Sequence, residues 1–176
     1  MRLSGLELAG VYMVEPEPIT DSRGFFARTW SADEFSEHGL EAVVVQCNVS
    51  YNTRRGTIRG LHFQAEPFAE AKLVRCTAGA IWDVAVDVRE DSVSRYRWLA
   101  VELTAEKRNA LYIPAGFAHG LQTLSDGAEV FYQMSERYSP EHARGLRWDD
   151  PRLAIEWPLA DPIVSDRDRS FDLIRD

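Results

Sequence analysis

Cysteine is scarce: the 176 residues hold only Cys47 and Cys76, which form no CxxC or other ligand spacing. That excludes a disulfide framework or a cysteine-built zinc site as the organising device and fits a reducing cytoplasm. No apolar run approaches the roughly 20 residues that cross a bilayer, and the opening Met-Arg-Leu-Ser-Gly-Leu-Glu has no signal-peptide character. The expectation is a cytoplasmic protein with no membrane partner. Basic residues are in deficit, 20 against 28 acidic ones, and the net charge of −8 argues against general nucleic-acid binding. Repeats, low-complexity tracts and linkers are absent, so residues 1–176 read as one domain. No G-x-S-x-G, G-x-G-x-x-G or Walker A pattern occurs, which leaves no nucleophile elbow and no nucleotide-cofactor loop.

What is present is β sequence. Short runs rich in Val, Ile, Tyr, Phe and Trp are punctuated by Gly, Pro and Asp, the pattern of an all-β sandwich or barrel. Strands are expected at 8–14, 43–49, 57–64, 98–103 and 110–113. Ser31 and Glu34 have capping-box spacing for a short helix ending at Gly39. Two hairpins are expected. One turns at Ala78-Gly79, pairing Val74 with Asp83 and making Lys72 and Asp83 diagonal neighbours. The other turns at Asp126-Gly127, pairing Leu121 with Tyr132 and bringing His119 beside Tyr132. From about residue 139 the chain becomes irregular, with a last helical turn at Ser165-Asp166-Arg167-Asp168.

Charge is uneven. Residues 54–75 hold Arg54, Arg55, Arg59, Lys72 and Arg75 against Glu66 and Glu70, a basic patch suited to a small anion or to ordinary solvated surface. The strand around Gly60-Leu61-His62-Phe63-Gln64 carries a histidine whose free pKa lies near working pH. Removing a proton beside a ketone needs such a base, a donor for the enolate oxygen and an acid to return the proton. His62, Lys72 and Tyr132 are the candidates, with a carboxylate to orient His62. Each has an ordinary role as well: a core histidine, a cross-strand packing tyrosine, and, for Asp168, the N3 position of a cap on Ser165. Strict alternation would put Arg59 and His62 on opposite faces, unless Gly60 marks a bulge.

The spacing Gly56-x5-His62-x-Gln64-x5-Glu70-x8-Gly79, followed by Pro114-x-Gly116-x-x-His119, resembles the two motifs of the cupin family. Metal-binding cupins have a second histidine where this chain has Gln64, so a metal centre is weakly supported. More of the chain resembles the dTDP-4-dehydrorhamnose 3,5-epimerase family: Asp21-Ser22-Arg23-Gly24-Phe25-Phe26, Arg59-Gly60-Leu61-His62-Phe63-Gln64, Ala71-Lys72-Leu73-Val74, Asp83-Val84-Ala85-Val86-Asp87-Val88-Arg89, Ile113-Pro114-Ala115-Gly116-Phe117-Ala118-His119-Gly120, Arg147-Trp148-Asp149-Asp150-Pro151 and Ser165-Asp166-Arg167-Asp168.

That resemblance implies a cupin-type jelly roll with a few short helices, a homodimer with exchanged N-terminal strands, and catalysis without a metal or other cofactor. It implies inversion at C3 and C5 of a dTDP-linked 4-keto-6-deoxy sugar. By the same resemblance His62 is the base, Asp168 its partner, Tyr132 the acid on the opposite face and Lys72 the enolate stabiliser. His119 and Arg59 contact sugar or diphosphate; Gln46, Asn48 and Tyr138 contact the nucleotide and phosphates; Arg23 and Phe26 reach the nucleotide of the neighbouring subunit. Arg28 stands where the family usually has Glu, and Ser92-Val93-Ser94-Arg95-Tyr96 where it has Ser-Pro-Thr-x-Gly. An epimerase acting at one carbon or on another nucleotide's 4-keto sugar, and a non-catalytic sugar-nucleotide-binding cupin, remain alternatives.

Overall fold

A computed structural model of the chain describes residues 1–175. In chain order the elements are β1 (Arg2–Gly5), β2 (Tyr12–Glu15), β3 (Ile19–Asp21), β4 (Gly24–Phe26), α1 (Ala32–Glu37), β5 (Gln46–Asn52), β6 (Thr57–Gln64), β7 (Lys72–Ala78), β8 (Ala80–Asp87), β9 (Trp98–Thr104), β10 (Ala110–Ile113), β11 (Phe117–Thr123), β12 (Ala128–Met134), β13 (Ala143–Gly145), β14 (Ile163–Val164) and α2 (Asp166–Arg169).

The first sheet runs β1-β2-β10-β7-β12-β5 and the second β13-β6-β11-β8-β9, with β14 added alongside β6; β3 and β4 pair only with each other. From β5 to β8 and again from β9 to β12, each strand passes to the opposite sheet. The resulting orders, β10-β7-β12-β5 facing β6-β11-β8-β9, are those of a jelly roll.

This crossing overturns both expected hairpins. β7 pairs with β10 and β12 while β8 pairs with β9 and β11, so Val74 faces Tyr132 rather than Asp83. β11 pairs with β6 and β8 while β12 pairs with β5 and β7, so Leu121 does not pair with Tyr132. Gly79 and Gly127 do turn the chain, at φ +74 and +66, but from one sheet to the other. A tight-turn dipeptide specifies reversal; which sheet receives the next strand is decided by what both of its faces bury.

Other boundaries moved as well. Residues 8–14 split between a turn and β2, and the strand expected at 43–49 begins at Gln46. Ser31 is the N-cap of α1 but makes no side-chain cap, and the reciprocal half of the box is lost as well, since the Glu34 carboxylate binds the Met1 amino group at 3.1 Å and Arg28 at 2.8 Å. In the departing segment after β8, buried Asp87 accepts from Arg89 and from the Ser92 and Ser94 hydroxyls. Burial alone would raise its carboxyl, but these donors hold it far below the usual range. Tyr96, in the left-handed region at φ +65, sits against the Arg95 and Arg152 guanidinium groups.

The inner faces divide the sandwich into two halves. At one end Val74, Cys76, Ile81, Ala85, Leu103, Leu111, Phe117 and Val130 form a dry core, where each large side chain contributes roughly 1.5–3 kcal/mol by burial. Toward the other end the same strands turn polar: Lys72 follows Val74 inward on β7, and Asn48 and Gln46 face inward on β5. The outer face of the second sheet is covered by the returning C-terminal segment, through Leu146, Leu153, Ile155 and Trp157. The outer face of β5 leaves Val49 and Tyr51 exposed.

Candidate active site

The polar half of the sandwich encloses a cavity of about 370 Å3. From the second sheet β6 supplies Arg59 and His62 and β11 supplies His119, which is the ladder partner of His62. From the first sheet come Gln46 and Asn48 on β5, Lys72 on β7 and Tyr132 on β12, with Tyr138 from the following loop. His62 and Tyr132 therefore face one space from opposite walls.

Arg59 and His62 share a face because β6 is irregular between them. Three steps on β6, from Arg59 to His62, oppose two on β11, from Leu121 to His119, which is a bulge. Gly60 makes it possible. Its φ is +117, and a Cβ there would lie 2.6 Å from the Gly120 Cα and 2.7 Å from the His119 carbonyl oxygen. Only a residue without a side chain fits.

Asp168 arrives from the far end of the sequence. β14 docks parallel to the start of β6, pairing Val164 with Ile58. Ser165 then caps α2, accepting from the Asp168 amide at 3.2 Å. This directs the Asp168 carboxylate to the Gly60 amide at 3.2 Å and to His62 Nε2 at 2.7 Å. Asp168 is 3% exposed. Burial would raise its pKa, but the His62 hydrogen bond and charge, with the Gly60 and Ser165 contacts, hold it below the usual carboxylate range. An ionised carboxylate only accepts, so Nε2 bears a proton, and in the neutral ring it is Nδ1 that keeps the lone pair. Phe171 meets the His62 ring edge-to-face with centroids 6.0 Å apart.

The cavity holds a second such pair. His119 Nε2 lies 2.8 Å from Asp83 Oδ1, and Asp83 is fully buried; its other oxygen has no hydrogen-bond partner among the described residues. The expected placement of Asp83 as a diagonal neighbour of Lys72 is corrected, since β7 and β8 lie in different sheets. Both faces of β8 are buried, so the polar face, carrying Asp83 and Asp87, turns inward rather than to solvent. Lys72 Nζ lies 2.8 Å from Glu70 Oε1 and donates to the His62 carbonyl at 3.2 Å. The Tyr132 phenol is raised by burial; Arg59 opposes the shift, and Glu70 and Tyr138 add to it.

The basic stretch 54–75 divides. Only Arg59 and Lys72 face the cavity; Arg75 lies on the other face of β7 and donates to the Thr29 carbonyl, and Arg55 donates to Leu124. Arg144 and Arg167 line the cavity instead, and sequence reasoning missed both; Arg167 had one available signal, its place beside Asp168. Glu70 also lines it; it was read as part of a charge count and of the first cupin motif, not as a site residue. Arg23 and Phe26 are not brought in. They sit on the exposed β3–β4 hairpin, where Arg23 is bound to Asp21 and Phe26 is 72% exposed. Gln64 also lines the cavity, but its amide is spent on the Phe68 and Arg137 carbonyls and the Ser139 amide. Among the described residues no three His, Cys, Asp or Glu side chains are grouped to hold a metal ion.

A cupin-type jelly roll with an aspartate-held histidine opposite a half-buried tyrosine is suited to proton transfer at a bound small molecule. Comparison places it more closely: the chain belongs to the dTDP-4-dehydrorhamnose 3,5-epimerase family, whose model matches residues 5–176. It is 45% identical over 172 residues to the dTDP-4-dehydrorhamnose 3,5-epimerase of Methanothermobacter thermautotrophicus, covering 96% of this chain and 92% of the relative. The crystal structure of the Bacillus anthracis enzyme with TDP and pyrophosphate bound superposes with a TM-score of 0.94 at 40% identity, covering 98% of this chain and 99% of that one. A 3′-monoepimerase from Streptomyces bikiniensis in complex with dTDP-quinovose is similar too, with a TM-score of 0.89, 34% identity, and 96% and 85% covered.

Proposed function

We propose that the protein inverts C3 and C5 of dTDP-4-keto-6-deoxy-D-glucose, giving dTDP-4-dehydro-L-rhamnose. The observation that carries this is the pairing of His62 with Asp168 on one wall of the cavity and Tyr132 on the other. Inversion requires a proton to leave one face of a carbon and another to arrive at the opposite face; a single base would restore the starting configuration. His62 Nδ1 takes the proton beside the 4-keto group, Lys72 stabilises the enolate oxygen, and the Tyr132 phenol protonates the opposite face. Each inversion leaves His62 protonated and Tyr132 ionised. His62 keeps 39% side-chain exposure, so both can be reset by solvent before the second carbon reacts. Positioned acid–base groups contribute about 10²–10⁴-fold, and no cofactor is needed because the ketone supplies the acidity.

In this reading His119 and Arg59 hold the sugar and diphosphate, and Gln46, Asn48 and Tyr138 the nucleotide. Residues 1–176 act as one catalytic domain, with the segment from about 139 serving to bring Asp168 back to β6. The protein works as a homodimer in which the N-terminal hairpin passes to the neighbour, so that Arg23 and Phe26 complete the other subunit's site. The apolar side chains exposed on that hairpin and on β5, Ile19, Phe26, Val49 and Tyr51, support this. A cytoplasmic location fits two free cysteines and the lack, among the described residues, of any helix long and apolar enough to cross a membrane.

The test is proton NMR of dTDP-4-keto-6-deoxyglucose with the enzyme in D2O. Loss of signal at both C3 and C5 is expected. Exchange at one carbon alone would establish a monofunctional epimerase, the reading that the similarity to the 3′-monoepimerase favours. Binding without exchange would mean a non-catalytic sugar-nucleotide protein.

A further inference from the structure

Lys72 and Glu70 form an ion pair inside the cavity, with side chains 8% and 3% exposed. A buried pair of this kind is costly to assemble, and an anion is a poor neighbour for a site that takes a diphosphate. Glu70 nevertheless points there. Its Oε2 accepts from the Gln64 amide at 3.2 Å and its Oε1 meets the Lys72 ammonium at 2.8 Å. Lys72 also donates to the His62 carbonyl at 3.2 Å. An ammonium has three hydrogens, so two are committed to fixed acceptors and one is left for a ligand. Arg59 differs: its guanidinium is held by neutral acceptors, Asn52 Oδ1 at 2.6 Å and the Tyr51 carbonyl at 3.4 Å, and its charge is not offset.

We propose that Glu70 is a positioning residue for the epimerisation, fixing Lys72 so that its remaining N–H is aimed as the enolate donor, while the diphosphate is left to the uncompensated Arg59. The inference rests on the epimerase reading of the cavity. Preorganised donors are where most of the electrostatic stabilisation of a developing oxyanion comes from, and a lysine on a flexible four-carbon stem has no such organisation of its own. Glu70 has a second effect across the cavity. The Tyr132 phenol is raised by burial, lowered by Arg59 and raised again by Glu70 and Tyr138. Lys72, His62, His119, Arg144 and Arg167 complete the charged lining. Glu70 thus helps to keep the proposed acid protonated.

Steady-state kinetics of Glu70→Gln, Lys72→Met and the double variant test this, beside wild type in the D2O exchange assay. Glu70→Gln keeps the shape and loses the charge. Its kcat should fall about tenfold to a hundredfold with KM within about twofold of wild type. The alkaline fall of its kcat profile should move to lower pH. In the Lys72→Met background the same change should cost almost nothing further in kcat. Should Glu70→Gln not fold, Glu70→Asp, which keeps the charge but withdraws the carboxylate by one methylene, is read by its kcat and KM and by the double variant alone. Wild-type kcat and an unmoved alkaline limb in the Glu70 variant, or losses that simply add in the double variant, would overturn the proposal. Absence of exchange in wild type would instead bring down the epimerase reading, and Glu70's role with it.

Discussion

His62 and Asp168 stand 106 positions apart in the chain and 2.7 Å apart in the cavity. The contact is produced by three local devices: the bulge at Gly60, the docking of β14 on β6, and the Ser165 cap that turns the Asp168 carboxylate back toward the strand.

Removing the proposed base tests the centre of the mechanism. His62→Ala should abolish exchange at both C3 and C5, a loss on the order of 10³-fold or more, while dTDP binding measured by calorimetry stays within a few-fold of wild type. Residual exchange at wild-type rate would assign the base elsewhere.

Asp168→Asn separates orientation from chemistry. The amide can still accept from Gly60 but no longer fixes the His62 tautomer, so kcat should fall about 10²-fold. The stability effect has a definite sign. The Asp168 pKa is depressed in the folded state, so the unfolded chain binds more protons in acid, and the contribution is present above the ordinary carboxylate range and lost as pH falls through the folded value. The stability gap between wild type and Asp168→Asn, from urea unfolding, should therefore narrow as pH is lowered from 6 toward 3. A gap that widens in acid would refute the assignment.

Tyr132→Phe should uncouple exchange from inversion. His62 can still remove and return a proton on its own face, so deuterium enters the substrate while epimerised product forms at least about 10²-fold more slowly. Equal loss of both would show that Tyr132 only packs the wall of the cavity.

The sequence carried the chemistry better than the connections. β6 and β10 have the limits that their residue runs suggest, because each is closed at both ends by turn residues. His62, Lys72 and Tyr132 stand out because polar side chains with proton-transfer chemistry are rare within apolar runs, whereas Asp168, in a run of charged residues, was reached only through the family resemblance. The hairpins at Gly79 and Gly127 failed for a physical reason: a positive-φ glycine serves a hairpin and a sheet-to-sheet crossing equally, and the choice is made by burial on both faces of strands distant in sequence. His119 and Tyr132 still line one cavity, but from facing sheets rather than along a ladder. The Glu70–Lys72 and Asp83–His119 pairs had no local signature, since each depends on which face of a doubly buried strand points inward. Arg28, a departure from the family pattern, is bound to Glu34, so its charge is spent within the N-terminal segment.

Gly60→Ala tests the bulge. A methyl group there meets the Gly120 backbone, and φ of +117 is strained for alanine, so the variant should lose about 3 kcal/mol of stability. Because the bulge aligns Arg59 with His62, kcat should fall even where the variant remains folded, which thermal unfolding and kinetics at 10 °C can separate. An alanine variant with wild-type melting temperature and rate would mean that β6 reaches the same alignment without the close approach.

Mixing variants decides whether the β3–β4 hairpin serves its own chain or a neighbour's. Arg23→Ala and His62→Ala each remove one part of the proposed site. If Arg23 acts in the partner's cavity, a mixed dimer contains one cavity with His62 from the first chain and Arg23 from the second, both intact. Co-refolding the two inactive proteins should then restore about a quarter of wild-type activity: random pairing makes half the dimers mixed and each carries one whole site. If Arg23 serves its own cavity, every site in every dimer lacks one residue and mixing restores nothing. Recovery must also vanish when the second chain carries both changes, since no whole site can then form; activity persisting in that control would trace the recovery to contamination or to a merely stabilising contact.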